Sequence, residues 1–256
     1  MTLDPRRQAL WQAMGLGPVW ALRSAPAVAV EPDETAVQDE PVASGAAPVP
    51  AGDERAQHIA TLAWDELQGA VAGCTACGLC RSRRQTVFGV GAQQAQWMVI
   101  GEAPGAEEDA RGEPFVGQAG KLLDNMLAAL GLSRAAEQAD PARAVYIANV
   151  LKCRPPNNRN PEPDEVARCE PFLQRQVALL QPKLIIVMGR FAAQSLLGTD
   201  ATIASLRGRV HRYRVDGREV PVIVTYHPAY LLRNLADKAK SWADLCLARQ
   251  VFDAAG

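Results

Sequence analysis

Apolar positions along this chain follow two rhythms that alternate from about residue 95 onward. Trp97-Met-Val-Ile100, Val145-Tyr-Ile-Ala-Asn-Val150, Leu184-Ile-Ile-Val-Met188 and Val220-Pro-Val-Ile-Val-Thr-Tyr226 are short apolar runs. They have the length of buried strands and are too short for helices. Between and after them, apolar residues recur three and four apart, as on one stripe of a helix. Leu122, Leu123, Met126, Leu127 and Leu130 make the clearest such stripe; Glu165–Leu180, Phe191–Leu197 and Ala239–Phe252 are read the same way. Arg209–Val215 is one more strand, turning at Asp216-Gly217 into the run that follows. Strands alternating with helices predict a single three-layer α/β domain, its central, mostly parallel sheet covered by helices on both faces.

Upstream of this pattern, a helix through Ile59, Leu62, Ala63, Leu67 and Val71 is expected to open the folded domain, assigned to residues 56–256. Residues 25–55 hold seven acidic residues, one arginine and no aromatic, amid Ala, Pro, Val and Gly. Such a segment cannot bury enough apolar surface to offset its ordering entropy, so a disordered linker is expected. Residues 1–24 read as a short helix, capped at Asp4-Pro5 and ending at Gly15, with Leu10, Trp11 and Met14 on one face. It fits either a peptide docking into a partner protein's groove or a helix folding back onto its own domain.

The net charge of −1 is uneven: the linker takes the negative excess and leaves residues 56–256 slightly basic. That permits a polyanionic partner without requiring one. No apolar run reaches transmembrane length, and the start lacks the unbroken apolar stretch of a secretory signal. A cytoplasmic monomer away from membranes is expected, and its six cysteines then point to metal or reactivity rather than disulfides.

Candidate chemistry gathers where the strands end. Glu102, Asn149 and His227 each follow or close an apolar run. In an open α/β sheet the carboxyl ends of the strands share one rim, where ligands bind. The polar loop after Ile100 leads to Pro114-Phe115, an aromatic that can serve as a stacking surface. Cys74-Thr-Ala-Cys77 forms a C-x2-C pair, and Cys153 and Cys169 lie 16 positions apart. Four thiolates suit structural zinc or a [4Fe–4S] cluster, and spacing alone leaves both open. Cys80 is close enough to compete, and Cys246 reads as a core residue. Arg81, Arg83, Arg84, Lys152, Arg154, Arg159 and Arg233 adjoin the same elements. Singly each is a solvated charge; together on one rim they would line a phosphate-binding surface.

Three segments carry a resemblance. Gly101-Glu-Ala-Pro-Gly105 with Pro114-Phe-Val-Gly117, then Asn149-Val-Leu-Lys-Cys-Arg-Pro-Pro156, then His227-Pro-Ala-Tyr-Leu-Leu-Arg233 are similar to the signature segments of the family 4, iron–sulfur uracil-DNA glycosylases. The likeness runs in order from about Cys74 to the end, and residues 1–60 lie outside it. It implies a four-stranded parallel sheet and a [4Fe–4S] cluster on Cys74, Cys77, Cys153 and Cys169. It also implies release of uracil from DNA by hydrolysis of the N-glycosidic bond, the first step of base excision repair, in a nucleoid-associated cytoplasmic protein. Phe115 would stack on the extruded base, Asn149 would read its edge, and backbone N–H groups of Ala103 and Gly105 would add polarisation. His227 would donate to the leaving base. Glu102 or Glu108 would orient water, since Ala103 stands where family 1 enzymes place an aspartate. Lys152, Arg154 and Arg233 would hold phosphates, while Tyr230 to Leu232 fill the vacated stack. A related branch that traps its product carries a histidine-containing insertion after the second segment; Pro155-Pro-Asn-Asn-Arg-Asn-Pro161 has no histidine, so turnover is expected. The alternatives are a non-catalytic nucleic-acid-binding iron–sulfur or zinc protein of this fold, and a zinc ribbon docking a partner through its N-terminal helix.

Overall fold

The computed structural model describes residues 54–135 and 140–255; the expected N-terminal helix and nearly all of the expected linker lie outside them. The strands are β1 (Val90–Gly91), β2 (Trp97–Gly101), β3 (Val145–Asn149), β4 (Leu184–Met188), β5 (Val210–Val215) and β6 (Arg218–Thr225). They form one mixed sheet in the order β1-β3-β2-β4-β6-β5. The inner four, β3-β2-β4-β6, pair in parallel. The two outer strands pair antiparallel and extend the expected four-stranded sheet to six. β1 is only two residues long, below the length that apolar patterning detects.

β2, β3 and β4 are buried along their whole length, as strands covered on both faces must be. Their side chains alternate between two cores. Met98, Ile100, Tyr146, Ala148, Ile185 and Val187 face one, with Leu173 and Val177 of α5 (Pro163–Leu180) and Ala192 and Ala193 of α6 (Arg190–Leu197). Trp97, Val99, Val145, Ile147, Leu184 and Ile186 face the other, with Leu123 and Leu127 of α4 (Gln118–Ala129) and Leu245 and Ala248 of α9 (Lys238–Ala254). The chain leaving β2 therefore passes to α4 on one face, and the chain leaving β3 passes to α5 on the other. Between their diverging carboxyl ends a crevice opens, the usual ligand position of such sheets.

The helix expected through residues 59–71 is two, α1 (Glu54–Thr61) and α2 (Trp64–Ala72). The break falls where the Ala63 N–H donates to Glu66 Oε2 at 2.8 Å, one half of a capping box, which starts α2 afresh. Ile59, Leu67 and Val71 of the two halves, with Leu62 in the break, are buried as expected beside Phe172 of α5, while Ala63, also expected on that stripe, is exposed at the break. Three shorter helices complete the path: α3 (Ala106–Arg111), α7 (Ile203–Leu206) and α8 (Pro228–Arg233).

Candidate active site

The loop after β2 is built around one carboxylate. Glu108, in the first turn of α3, accepts the Gly105 N–H on Oε2 at 3.1 Å. Its Oε1 reaches across the loop to the Val116 N–H at 3.0 Å and the Gly117 N–H at 3.4 Å. Glu108 is thus a clamp, its two oxygens shared among three backbone N–H groups, and it also lines the cleft. One of these bonds engages the Gly105 N–H, the group expected to polarise the base.

What the clamp holds is Phe115. Its backbone lies in the left-handed region at φ 54°, a strained conformation for a bulky residue. Such strain persists where neighbours over-determine it, and it collects at functional sites. Gly120 on α4 is one of those neighbours: a Cβ there would overlap the Phe115 carbonyl. Phe115 is buried, and its ring stacks on the His227 imidazole with centroids 5.3 Å apart.

Asn149 arrives from the next strand. Beyond it, the Val150 and Leu151 N–H groups donate to the carbonyls of Gly101 and Glu102, each at 3.0 Å, tying the first two loops together. Asn149 is only 2% exposed and lines the cleft. Gly101 makes room for it: a Cβ there would run into Asn149 Oδ1 and lie 2.7 Å from Phe115 Cζ.

His227 follows β6 and caps α8, its Nδ1 accepting the Ala229 N–H at 3.1 Å. That bond assigns the proton of the neutral ring to Nε2, the nitrogen left to donate. Burial pulls the imidazole pKa down to about 4; Glu108 opposes this and Arg233 adds to it. The ring therefore stays neutral at pH 7. A neutral buried histidine must gain its proton on unfolding wherever the pH lies between the folded value and the ordinary 6.5. Its contribution to stability is therefore full above pH 6.5 and lost as the pH falls toward 4. Melting temperature should decline over that window more steeply in the wild type than in His227→Gln. Parallel curves would place the imidazole in solvent.

Glu102 lines the cleft beside these groups, its carboxyl raised in pKa by burial and lowered by Arg190. With Ala103, Gly105, Phe115, Asn149, His227, Arg159 and Arg233 it surrounds a volume of about 470 Å3. That is the size of a small-molecule site. The cleft joins a flat aromatic, an amide with both a donor and an acceptor, a neutral N–H donor and a carboxylate. This set suits a planar polar base.

The rim departs from expectation at several points. Lys152 is 1% exposed and cannot meet a phosphate; its Nζ donates to the Asn149 carbonyl at 2.7 Å and to Gln176 Oε1 at 2.6 Å. It drops out of the DNA-binding set because residue 152 follows β3 into the core instead of leaving along the surface. Arg83 also turns inward, to the sulfur of Cys153 and the carbonyl of Cys74. Tyr230 stacks on Tyr226, and its hydroxyl donates to Asp237 Oδ2 at 2.6 Å. Leu231 is buried, which leaves Leu232, 42% exposed, as the protruding apolar tip of α8. Arg233 is exposed, and Arg154 is half-buried with its Nε on Asn158 Oδ1 at 2.7 Å. Arg159 enters the cleft wall held by the buried Glu165, whose Oε2 accepts from it at 2.9 Å. Gln176 and Glu165 were missed at the sequence level; a polar residue on the buried stripe of a helix is the signal that marks both.

Behind the cleft, Cys74, Cys77, Cys153 and Cys169 line a second, small cavity, together with Cys80, Arg83 and Lys152. All are free thiols, and among the described residues no three ligand-type side chains gather as around a single metal ion. Nitrogen donors nevertheless aim at the sulfurs. Arg83 Nη1 lies 3.0 Å from Cys153 Sγ and the Lys152 N–H 3.3 Å from Cys169 Sγ, while Arg55 Nη2 is 3.8 Å from Cys74 Sγ. Donors converging on three of the four sulfurs are what a thiolate-held group needs around it, and the donor set fits one. Cys80 sits against the same cavity without an assigned part.

Residues 88–246 match the family model described as the uracil DNA glycosylase superfamily. The chain is similar to the type-4 uracil-DNA glycosylase of Archaeoglobus fulgidus, 44% identical over 172 residues, covering 66% of this chain and 82% of that protein. It is 40% identical over 168 residues to the type-4 uracil-DNA glycosylase of Thermotoga maritima, covering 65% and 82% of the two chains. A type-5 uracil-DNA glycosylase of Pyrobaculum aerophilum is more distant, 33% identical over 148 residues, covering 55% and 64%.

Proposed function

This chain belongs to the uracil-DNA glycosylase superfamily, and from that premise we propose that it hydrolyses the N-glycosidic bond of deoxyuridine in DNA, releasing uracil and leaving an abasic site. The observation that carries the reading is the convergence of Phe115, Asn149 and His227, from the carboxyl-end loops of three strands, around one cleft. Among the described residues no helix is long and apolar enough to cross a membrane.

Uracil stacked in DNA is out of reach of such a cleft, so the nucleotide must rotate outward at a cost of a few kcal/mol. Arg233, with Arg154 at the rim, holds phosphates, and Leu232 enters the space the base leaves. The extruded ring stacks on Phe115 for about 1–3 kcal/mol. The Asn149 side-chain Nδ2–H donates to O4, and its Oδ1 accepts from N3–H. The bond from C1′ to N1 then breaks, and its electron pair leaves on uracil. His227 Nε2–H donates toward O2 as that charge develops, and a preorganised neutral donor stabilises it without a full proton transfer. The sugar takes on oxocarbenium character. Glu102 stabilises that cation and orients water, whose oxygen adds to C1′ while its proton goes on to the uracil anion. Glu108 clamps the loop that carries Phe115 and sets its charge near His227.

Cys74, Cys77, Cys153 and Cys169 would hold a [4Fe–4S] cluster, in keeping with the donors aimed at their sulfurs. Its chemistry here is that of a cross-link, tying the end of β3 to the Cys74 loop. A uracil-excision assay paired with metal analysis tests both readings. Anaerobically purified protein should release uracil from an oligonucleotide and carry about four irons per chain. Cys153→Ala and Cys169→Ala should lose iron and solubility together, while Cys246→Ser should keep both. Stoichiometric zinc in an active, colourless protein would sink the cluster, and iron-loaded protein that releases no base would favour a non-catalytic binder.

A further inference from the structure

Asp244 is a charged residue at 1% exposure, on α9 and away from the cleft. It accepts the Thr225 hydroxyl at 2.8 Å and Arg207 Nε at 2.7 Å on the same oxygen, Oδ2. Arg207 has 11% of its side chain exposed, and its guanidinium lies over the Tyr226 ring at 4.5 Å. Tyr226 in turn stacks on Tyr230, centroids 4.8 Å apart and planes 25° from parallel. At the far end the Tyr230 hydroxyl donates to Asp237, which also pairs with Lys240 at 2.9 Å. The result is a continuous stack of cation, ring and ring, pinned by a carboxylate at each end. His227 sits in the chain between the two tyrosines, and Leu232 and Arg233 lie at the end of the one-and-a-half-turn helix that Tyr230 belongs to.

We infer that Arg207 and Tyr226, anchored by Asp244, are positioning residues for the DNA-facing tip of α8, and that they fix the direction in which Leu232 and Arg233 meet duplex DNA. The inference rests on the proposed uracil excision and adds to it a determinant of duplex over single-stranded substrate. A six-residue helix cannot hold its own orientation by backbone bonds alone, since so short a helix is marginal without packing. Arg207 is suited to the task because a guanidinium bonds a carboxylate in its plane while its face remains free for a ring. His227 keeps a separate anchor, its Nδ1 bond to Ala229 and its contact with Phe115. Loosening the stack therefore impairs insertion of the tip more than chemistry on a base that has already entered. Single strands present uracil without a partner to displace, so they need the tip less.

The test compares kcat/KM on one uracil sequence, single-stranded and paired opposite guanine, for full-length wild type and variants of matched melting behaviour. Tyr226→Leu should lower the duplex value by about tenfold or more and the single-strand value by less than about threefold, in line with the cost of small misplacements of binding groups. Tyr226→Phe retains the ring and should keep the wild-type ratio within about twofold. Where Tyr226→Leu does not fold, Tyr230→Phe decides: it removes only the bond to Asp237 and should lower the ratio by about threefold. Equal losses on both substrates, or an unchanged ratio, overturn the inference and mark the stack as general support. Wild type active on single strands alone also overturns it. Wild type active on neither substrate instead removes the excision reading beneath it.

Discussion

Asn149→Asp is expected to cut uracil excision by about 10³-fold and to narrow the discrimination against cytosine. At the edge that Asn149 faces, uracil offers an acceptor at O4 and a donor at N3. Cytosine offers the reverse. An asparagine fixed in one orientation satisfies uracil and meets cytosine donor to donor and acceptor to acceptor. The fixing is visible: Asn149 is nearly fully buried, its main-chain carbonyl is held by Lys152, and its side-chain oxygen lies in the space that the bare Gly101 leaves beside Phe115. Aspartate removes the donor that O4 needs and sets a negative charge where the departing uracil gathers its own. It also offers an acceptor to the cytosine amino group. Excision rates on matched uracil and cytosine single strands, with iron content and melting temperature as controls, measure the effect. An unchanged ratio in a folded, iron-containing variant would take Asn149 out of base recognition and leave it as a cap on the turn after β3.

His227→Ala is expected to lower kcat by about 10²–10³-fold, the usual cost of one donor aimed at developing charge. KM should change little, because the interaction strengthens only as the glycosidic bond breaks. His227→Gln keeps an N–H at comparable reach and should recover part of the loss. Single-turnover excision separates these from slow product release. A fall in kcat of less than about tenfold for the alanine variant would mean that Nε2 is not the donor and would leave backbone groups such as the Ala103 N–H in that part.

The two rhythms of apolar residues were enough to read the inner sheet. Each of the four parallel strands carries a β-rich, mostly buried apolar run, so patterning and topology agree. β1 escaped because two residues carry no period, and its pairing depends on where β3 lies. At the candidate site, the residues at strand ends were legible because an α/β sheet puts every such end on one rim. Direction was not legible. Whether a lysine three residues past the end of a strand goes out to solvent or back into the core depends on the register of β3 against α5. Lys152 goes in because Gln176, 24 residues away in sequence, supplies a partner for its ammonium. Glu108 shows the same limit. Its sequence neighbours advertise an acidic, solvated loop, while its two bonds to the 116–117 amides depend on a fold-back that no local pattern records.

Lys152 has a consequence for how this protein can change. Its side chain supports the Asn149 carbonyl while its own N–H meets the Cys169 sulfur, and Cys153 is the next residue. Five consecutive positions therefore serve two traits at once, the choice of base and the retention of whatever the cysteines carry. Random variation within Asn149–Cys153 would rarely alter one without the other. Selection for a new base would progress faster through positions 115–119 or 229–233, which reach the cleft from the start of α4 and from α8, away from the cysteines.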